Sequence, residues 1–566
     1  MIVKINNKKY TFQKGQTILE LAHKNGINIP SLCYHPDLDI KAHCRICVVE
    51  IKGKNRLFTA CSTKIEKGME IYTESKKVIK SRNLNIEMIF SEHTKKCSTC
   101  AYLYDCDLLR LAREYKIFIP RFKNKNEKRK IHLFANAVEI DGTQCIDCGN
   151  CVEACNRQGI SHLKVEGTGD AQEIKINRDN NSACIYCGQC AAHCPVTAAQ
   201  EQYNWEGVEE IIKKGKKIVV VQFAPSVRVS IGEEFSLPYG MNCEGKINTA
   251  LKKLGFSYIF DINFGADITT IVEAEELLER LGNKKAVFPM MTSCCPSWVA
   301  YVEYYHPELI PNLTSARSPH LHSAGAIKSY WAKKMKIKPQ NIIVVSIVPC
   351  TAKKYEAARP ELKFQGRPLV DYVLTTRELA FLIKRHNIDF KSLPDSQGEA
   401  VFNNGSGAAA IFGSSGGVME SALRSAQSLS REKNKNILCD KRLEFKEVRG
   451  MKDLKEASFN LSGKKIKVAV INGIGNFKKI LPKLKQYHYV EVMACPGGCL
   501  GGGGQPIPTT DLIRKKRMEG MYNIDRNKKI RRAHENKEMK EYYSWVKENK
   551  LASQLLYTRF KKKKIK

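Results

Sequence analysis

CIDCGNCVEAC at 145–155 and CIYCGQCAAHCP at 184–195 carry one spacing, C-x2-C-x2-C-x3-C, twice in close succession. Thiolates at these intervals wrap an iron-sulfur cubane, and in a paired run the fourth cysteine of each half ligates the other half's cluster. The spacing therefore predicts one 4Fe-4S cluster on Cys145, Cys148, Cys151 and Cys194, and a second on Cys184, Cys187, Cys190 and Cys155. Pro195 follows the second run as usual, whereas Asn156 follows the first. Coincidence does not place eight cysteines this way; the bland alternative is that the clusters stiffen the fold without carrying electrons.

Working outward toward the N-terminus, MIVKIN, KKYTF and RICVVEI read as short strands around a helical TILELAHKNG. Threaded through them are Cys33, Cys44, Cys47 and Cys61, a C-x10-C-x2-C run with a distant fourth ligand. This is close to the plant-type 2Fe-2S pattern apart from a longer first gap. Four thiolates also suit zinc, but the strand-helix-strand setting resembles the 2Fe-2S ferredoxin fold. A helical RNLNIEMIFSEH then leads into His93, Cys97, Cys100 and Cys106. One imidazole and three thiolates hold zinc or a cubane; between two electron-carrying segments a redox-silent zinc would break the relay, so a third 4Fe-4S cluster is expected.

Bulk composition fits such a chain. Its 566 residues suggest roughly four units at about 150 residues per domain. No apolar run of about 18 residues occurs and the start lacks a signal-peptide core, so a cytoplasmic protein without membrane attachment is expected. The 22 cysteines fall almost wholly into short-spaced groups, which favours metal ligation over disulfides. Cys243 and Cys439 stand apart and read as small buried hydrophobes. Lys and Arg outnumber Asp and Glu by 93 to 58. The charge is spread along the chain with no nucleic-acid motif, so it reads as a solubilising surface that permits docking of an acidic electron carrier. The basic run Lys561 to Lys564 reads as a solvated end.

From about 216 the texture changes: KIVVVQF, NIIVVSIV and KIKVAVI read as buried strands, and ADITTIVEAEELLERLG and RELAFLIKRH as helices. That alternation argues an α/β domain with parallel strands and a ligand at their C-terminal ends. The remaining cysteines fall there, in TSCCPSW (292–298), PCTAKKYE (349–356) and EVMACPGGCLGGGGQP (491–506). With these three fragments the sequence resembles the iron-only hydrogenase family along nearly its whole length.

The resemblance implies an H-cluster, a 4Fe-4S cubane on Cys295, Cys350, Cys495 and Cys499 joined through Cys499 to a diiron subsite carrying CO, cyanide and a dithiolate bridge. Cys294 is then the spare thiol that exchanges protons with that subsite. Lys353 and the Ala224-Pro225-Ser226 turn match the cyanide-holding groups, Phe412 and Met493 match apolar residues beside the diiron subsite, and Gln505 belongs to the same cofactor-binding set. Val348 stands where Met is expected. Gly497, Gly498 and Gly501 to Gly504 lack a Cβ, which lets backbone approach the cluster and its N–H groups reach sulfur. Glu273, Glu276 and Arg280 lie at i, i+3 and i+7 of one predicted helix, hence on one face. The resemblance places a proton path there, from Cys294 through Glu273, Thr314 in place of a serine, and Glu276 to Arg280; an exposed charged helix face is the bland alternative.

Two glycine loops look like nucleotide sites and fall short. Gly473 and Gly475 lack the third glycine and the downstream acid of a dinucleotide loop, and Ser415 to Gly417 lacks the lysine of a phosphate loop.

The expected fold is α+β and multidomain: a β-grasp 2Fe-2S ferredoxin-like domain over 1–80, a cluster segment with one histidine and three cysteines over 81–125, a two-cluster ferredoxin-like domain over 126–212, a two-lobed α/β catalytic domain over 213–506 and a wrapping segment over 507–566. The expected activity is reversible interconversion of protons, electrons and dihydrogen, fed through one 2Fe-2S and three accessory 4Fe-4S clusters by ferredoxin or flavodoxin. Maturation proteins must supply the H-cluster. The alternatives are a hydrogen-activating subunit of a complex with NAD(P)H- and flavin-bearing partners, a non-catalytic iron-sulfur carrier or assembly factor, and a nucleic-acid-binding protein.

Overall fold

The structure, a computed structural model, describes residues 1–565 except 94–96, 98–99, 101, 118–120 and 434–442. Cys439 lies outside the described residues. Among those described, no helix is long and apolar enough to cross a membrane.

The first unit is a five-stranded sheet. Ile2–Ile5 pairs antiparallel with Lys8–Thr11 and parallel with Glu70–Tyr72, which continues antiparallel through Val48–Ile51 to Leu57–Thr59. Asn6 and Asn7, both at positive φ, turn the first hairpin in the way that two-residue turns favour. The helix Ile18–Lys24 starts on a Thr17/Glu20 capping box and buries Ile18, Leu19 and Leu21 against the sheet. Arg82 of the next helix, Lys76–Ser91, is buried and donates to the carbonyls of Ile46, Val48 and Thr73 and to the Tyr115 hydroxyl, tying this sheet to the His93 segment.

The two-cluster unit pairs a three-stranded sheet, in the order Ala199–Glu201, Val138–Asp141 and Ile131–Phe134, with the helices Asn150–Arg157 and Gln189–Ala192. The repeat seen in the cysteine spacing recurs in the backbone: Gly149 and Gly188, at φ +74° and +69°, turn the chain into each helix.

Two four-stranded sheets form the α/β unit. One is wholly parallel, in the order Tyr258–Asp261, Ile218–Phe223, Ile342–Val348 and Tyr372–Thr375. The other runs Met290–Met291, Tyr489–Met493 and Lys464–Asn472 in parallel, closed by the antiparallel edge strand Leu454–Leu461. Their β-branched interiors are buried, as strands covered on both faces require. The last helices, Asp511–Asn527, Lys537–Glu548 and Ala552–Leu555, lie over this unit, with Arg517 bonded to both Glu233 carboxylate oxygens and to the Leu500 carbonyl.

In the basic tail Lys561, Lys562 and Lys564 are exposed, as a solvated end requires, and Lys563 alone of the four departs from that reading. Lys563 pairs with the fully buried Glu303 carboxylate at 2.8 Å and its main-chain N–H donates to the Glu303 carbonyl, while Arg359 closes on the same carboxylate at 2.6 Å. A buried carboxylate needs such partners, and charge counting along the tail cannot reveal one that lies so far away in sequence. Gly473 makes a strand-to-turn corner at φ +83°, and a Cβ on Gly475 would sit 1.9 Å from the Arg157 carbonyl. That glycine serves packing against the two-cluster unit.

Candidate active site

Four parallel strands end at one cavity. Ile218–Phe223 runs into Ala224-Pro225-Ser226, Ile342–Val348 into Cys350, Met290–Met291 into Cys294 and Cys295, and Tyr489–Met493 into Cys495 and Cys499. All of these residues, with Lys353, Phe412, Met493 and Val348, line the cavity, whose wall is overwhelmingly apolar. Gln505 does not. Its amide N–H donates to the Cys499 carbonyl at 3.0 Å and its carbonyl accepts from Ser230, so it braces the loop behind the cavity.

The donor set fits an iron cluster. Burial pushes the thiols of Cys295, Cys495 and Cys499 up and that of Cys350 up to about 12. Apolar surroundings make four convergent thiolates costly unless a cation compensates them, which is what iron at this point would do. Gly498 sits at φ +74° where its neighbours leave no room for a side chain. The rest of the glycine run has a second use besides the approach expected of it, although Gly502 does reach the cavity wall. A Cβ on Gly501 would meet the Pro496 carbonyl at 2.0 Å, on Gly502 the Pro349 carbonyl at 2.3 Å, on Gly503 the Gly188 Cα at 2.5 Å and on Gly504 Thr375 at 2.7 Å. These glycines let protein pack on protein around the loop.

Lys353 and Ser226 are among the polar residues on the same cavity wall. Lys353 Nζ donates to the Cys294 carbonyl at 3.1 Å and to Glu356 at 2.7 Å, which leaves the third N–H of its ammonium for the cavity. Ser226 is 1% exposed and its hydroxyl has no hydrogen-bond partner among the described residues. A buried hydroxyl left this way points to an acceptor that the protein does not itself supply.

Cys294 is buried, and burial together with the adjacent Glu273 holds its thiol protonated. Glu273, wholly buried on the helix Ile262–Gly282, is pushed up to about 8 by burial, against the pull of a 2.6 Å hydrogen bond from the Tyr489 hydroxyl. One turn on, Glu276 pairs with Arg280 at 2.6 Å and accepts from both the N–H and the hydroxyl of Ser315. Thr314 is buried; its Oγ1 lies 3.5 Å from the Ser293 hydroxyl and accepts from the Ala316 N–H. The hydroxyl bonded to Glu276 is thus that of Ser315, the neighbour of the residue expected. Tyr489, Ser293 and Ser315 were not singled out in the sequence. Strand alternation could have found Tyr489, because it shares a strand face with Met493.

The accessory cysteines gather in two crossed sets. Cys194 lies electrostatically against Cys148 and Cys151, and Cys155 against Cys184, Cys187 and Cys190, the latter four lining one small cavity. His93, Cys97, Cys100 and Cys106 face another cavity, and the His93 Nδ1–H bonds the Gln144 carbonyl at 2.9 Å, leaving Nε2 free as a ligand. Cys33, Cys44, Cys47 and Cys61 are all buried, with the Cys44 N–H 3.5 Å from the Cys33 sulfur. The two-cluster unit touches the strand-end cavity directly: Cys495 Sγ is 4.0 Å from the Cys187 carbonyl, and the Thr351 hydroxyl donates to the Tyr186 carbonyl at 2.8 Å.

Comparison with known proteins agrees along the whole chain. Residues 217–503 match the family of the iron only hydrogenase large subunit, C-terminal domain, and 511–563 the iron hydrogenase small subunit. Residues 2–76 match a 2Fe-2S cluster binding domain and 144–198 a 4Fe-4S dicluster domain. The chain is 36% identical to the NADP-reducing hydrogenase subunit HndD of Solidesulfovibrio fructosivorans over 100% of its own length and 99% of that protein's. It is 40% identical to iron hydrogenase 1 of Clostridium pasteurianum, covering 95% of each. A solved FeFe-hydrogenase of Chlamydomonas reinhardtii superposes with a TM-score of 0.55 at 35% identity, covering 63% of this chain and 98% of that one.

Proposed function

The chain belongs to the iron-only hydrogenase family and is a hydrogenase with an iron-sulfur relay; from that premise we propose how its residues divide the work. Cys295, Cys350, Cys495 and Cys499 hold the cubane of the H-cluster, and the third N–H of Lys353 and the Ser226 hydroxyl bind cyanides of the diiron subsite. When bound, that cofactor supplies heterolytic cleavage and formation of dihydrogen.

The protein's part is proton traffic. Cys294 Sγ gives and takes the proton at the cavity wall, Glu273 exchanges it behind the thiol, and Glu276 passes it toward Arg280 at the partly exposed end of the helix. Thr314, Ser293 and Ser315 are the hydroxyls lying between the two acids. A group poised near neutral pH is the efficient proton carrier, and Glu273 at about 8 meets that requirement. The observation that carries this reading is the pairing of a spare buried thiol with a buried acid behind it, for which an electron wire or scaffold has no use.

Electrons travel through one 2Fe-2S and three 4Fe-4S clusters on the cysteine sets named above, ending at the cubane held by Cys184, Cys187, Cys190 and Cys155. The 4.0 Å approach of Cys187 to Cys495 supports that order. Ferredoxin or flavodoxin is one source of electrons. The likeness to HndD over the whole chain supports a second, a complex in which partner subunits carry flavin and NAD(P)H. Co-purification of flavin-bearing subunits from the native host tests it, and full activity of the lone chain with reduced ferredoxin would count against its necessity. For the chemistry itself, infrared bands of metal-bound CO and cyanide in matured protein, with hydrogen evolution from a reduced dye, are the expected result. Their absence in fully matured protein would overturn the assignment.

A further inference from the structure

The two central strands of the parallel sheet under the cavity each carry one polar interruption. In IVVVQF and IIVVSIV, Gln222 and Ser346 are register partners on adjacent strands, each fully buried among Val and Ile. Burying an amide and a hydroxyl in the middle of a sheet is unfavourable unless both are bonded to something. Gln222 Nε2 donates to the Ser346 hydroxyl at 2.6 Å and to the His320 main-chain carbonyl at 2.8 Å, and Ser346 Oγ lies 3.4 Å from His320 Nδ1. His320, 1% exposed, is itself on the cavity wall.

Its other nitrogen reaches Lys353 only through the Glu356 carboxylate. His320 Nε2 is 2.6 Å from Glu356 Oε2, the same oxygen that accepts from Lys353 Nζ at 2.7 Å and from the Ser318 hydroxyl at 2.9 Å. Glu356 is ionised, held down to about 2 against its burial by the Lys353 ammonium and by His320. An ionised carboxylate only accepts, so Nε2 carries the proton and Nδ1 is left to accept from Ser346. The polar pair in the sheet therefore selects the imidazole tautomer that the carboxylate needs.

We propose that His320 is a positioning residue for Lys353: fixed by Ser346 and Gln222 below, it pins the Glu356 carboxylate so that the ammonium keeps one N–H aimed into the cavity. This rests on the reading of Lys353 as a cyanide-binding group. Without the imidazole, Glu356 Oε2 loses one of three donors and the carboxylate can turn with the ammonium, a displacement that small misplacements of catalytic groups make costly.

Infrared spectra of matured protein test the role independently of turnover. His320→Leu should move one cyanide stretching band and leave the other, because Ser226 serves the second cyanide from a different strand end. His320→Gln, whose amide N–H can reach Glu356, should return the band toward its original position, and Lys353→Met should move the same band. If Lys353→Met moves a band that His320→Leu leaves unchanged, the positioning role is wrong while Lys353 keeps its assignment. If Lys353→Met moves neither, both fall. Should His320→Leu fail to mature, Ser346→Ala, which deletes one hydroxyl, must move the same band in the same sense; an unmoved band overturns the proposal.

Discussion

Replacing Tyr489 with Phe isolates the hydrogen bond that its hydroxyl gives Glu273 at 2.6 Å, with both side chains fully buried. Phe keeps the ring and removes one oxygen, so the strand retains its packing. A hydrogen bond to a charged acceptor contributes about 1.5–3 kcal/mol, or about one to two pH units in the acceptor's pKa. Burial already pushes Glu273 up to about 8, and the tyrosine bond opposes that push. In Y489F the carboxyl should therefore titrate about one to two units higher. On the proposed proton path, hydrogen oxidation requires Glu273 ionised to accept the proton from Cys294. At pH 8 its ionised fraction drops from about one half to between about one tenth and one hundredth, a loss of about five- to fifty-fold. The loss should be recovered as the pH is raised by the same interval. Evolution below about pH 7, where the carboxyl is protonated in both proteins, should change little. The assay is hydrogen-dependent dye reduction and dye-driven evolution across the pH range, with infrared bands confirming an intact cofactor. Glu276 and Glu491, which push the Glu273 pKa up, and Cys294 beside it are unchanged in the variant. Superimposable oxidation profiles would refute Glu273 as the acceptor.

Glu273→Gln keeps the volume and removes the titrating group, so turnover in both directions should fall at least about a hundredfold with infrared bands retained; undiminished turnover would remove Glu273 from the path. Arg359→Met leaves the wholly buried Glu303 with the Lys563 ammonium and the Lys561 main-chain N–H and should cost about 3–5 kcal/mol of stability by equilibrium denaturation, whereas a change below about 1 kcal/mol would mean that the tail contacts suffice. Gly503→Ala drives a methyl into Gly188 across the seam between the two-cluster unit and the cavity. Its destabilisation should be about 1–3 kcal/mol, and stopped-flow should show slower electron delivery from the accessory clusters than in the parent protein; equal rates would place the electron entry elsewhere.

Much of this was legible in the residues because thiol ligation imposes rigid spacing. The paired run at 145–195 marks a 4Fe-4S dicluster unit on spacing alone, and β-branched runs gave two of the four strands whose ends gather the cavity, Ile218–Phe223 and Ile342–Val348. What escaped were partners brought together from distant positions by tertiary packing. Tyr489, Ser315 and His320 carry ordinary side chains whose roles arise only when strand, loop and helix converge, and the Glu303 partner of the basic tail lies more than two hundred residues upstream. Gln222 and Ser346 did leave a trace, as polar residues in otherwise apolar strands. Their meaning depends on a register that the sequence does not state.

The glycine run beside Cys499 bears on how this enzyme can be taken apart. Three of its four glycines press on residues of the catalytic unit itself, and Gly503 alone among them meets the cluster-bearing half. Stripped of residues 1–212, the catalytic unit would also lose the Gln189 amide that caps the Gly501 carbonyl at 2.9 Å, baring a strip of main chain with no side chains to shield it. Unpaired main chain invites self-association. In a minimal engine cut from this protein, 503 is thus the position of the glycine run at which a larger polar residue could resurface the exposed seam, since the nearest atoms that a Cβ there meets belong to the removed unit.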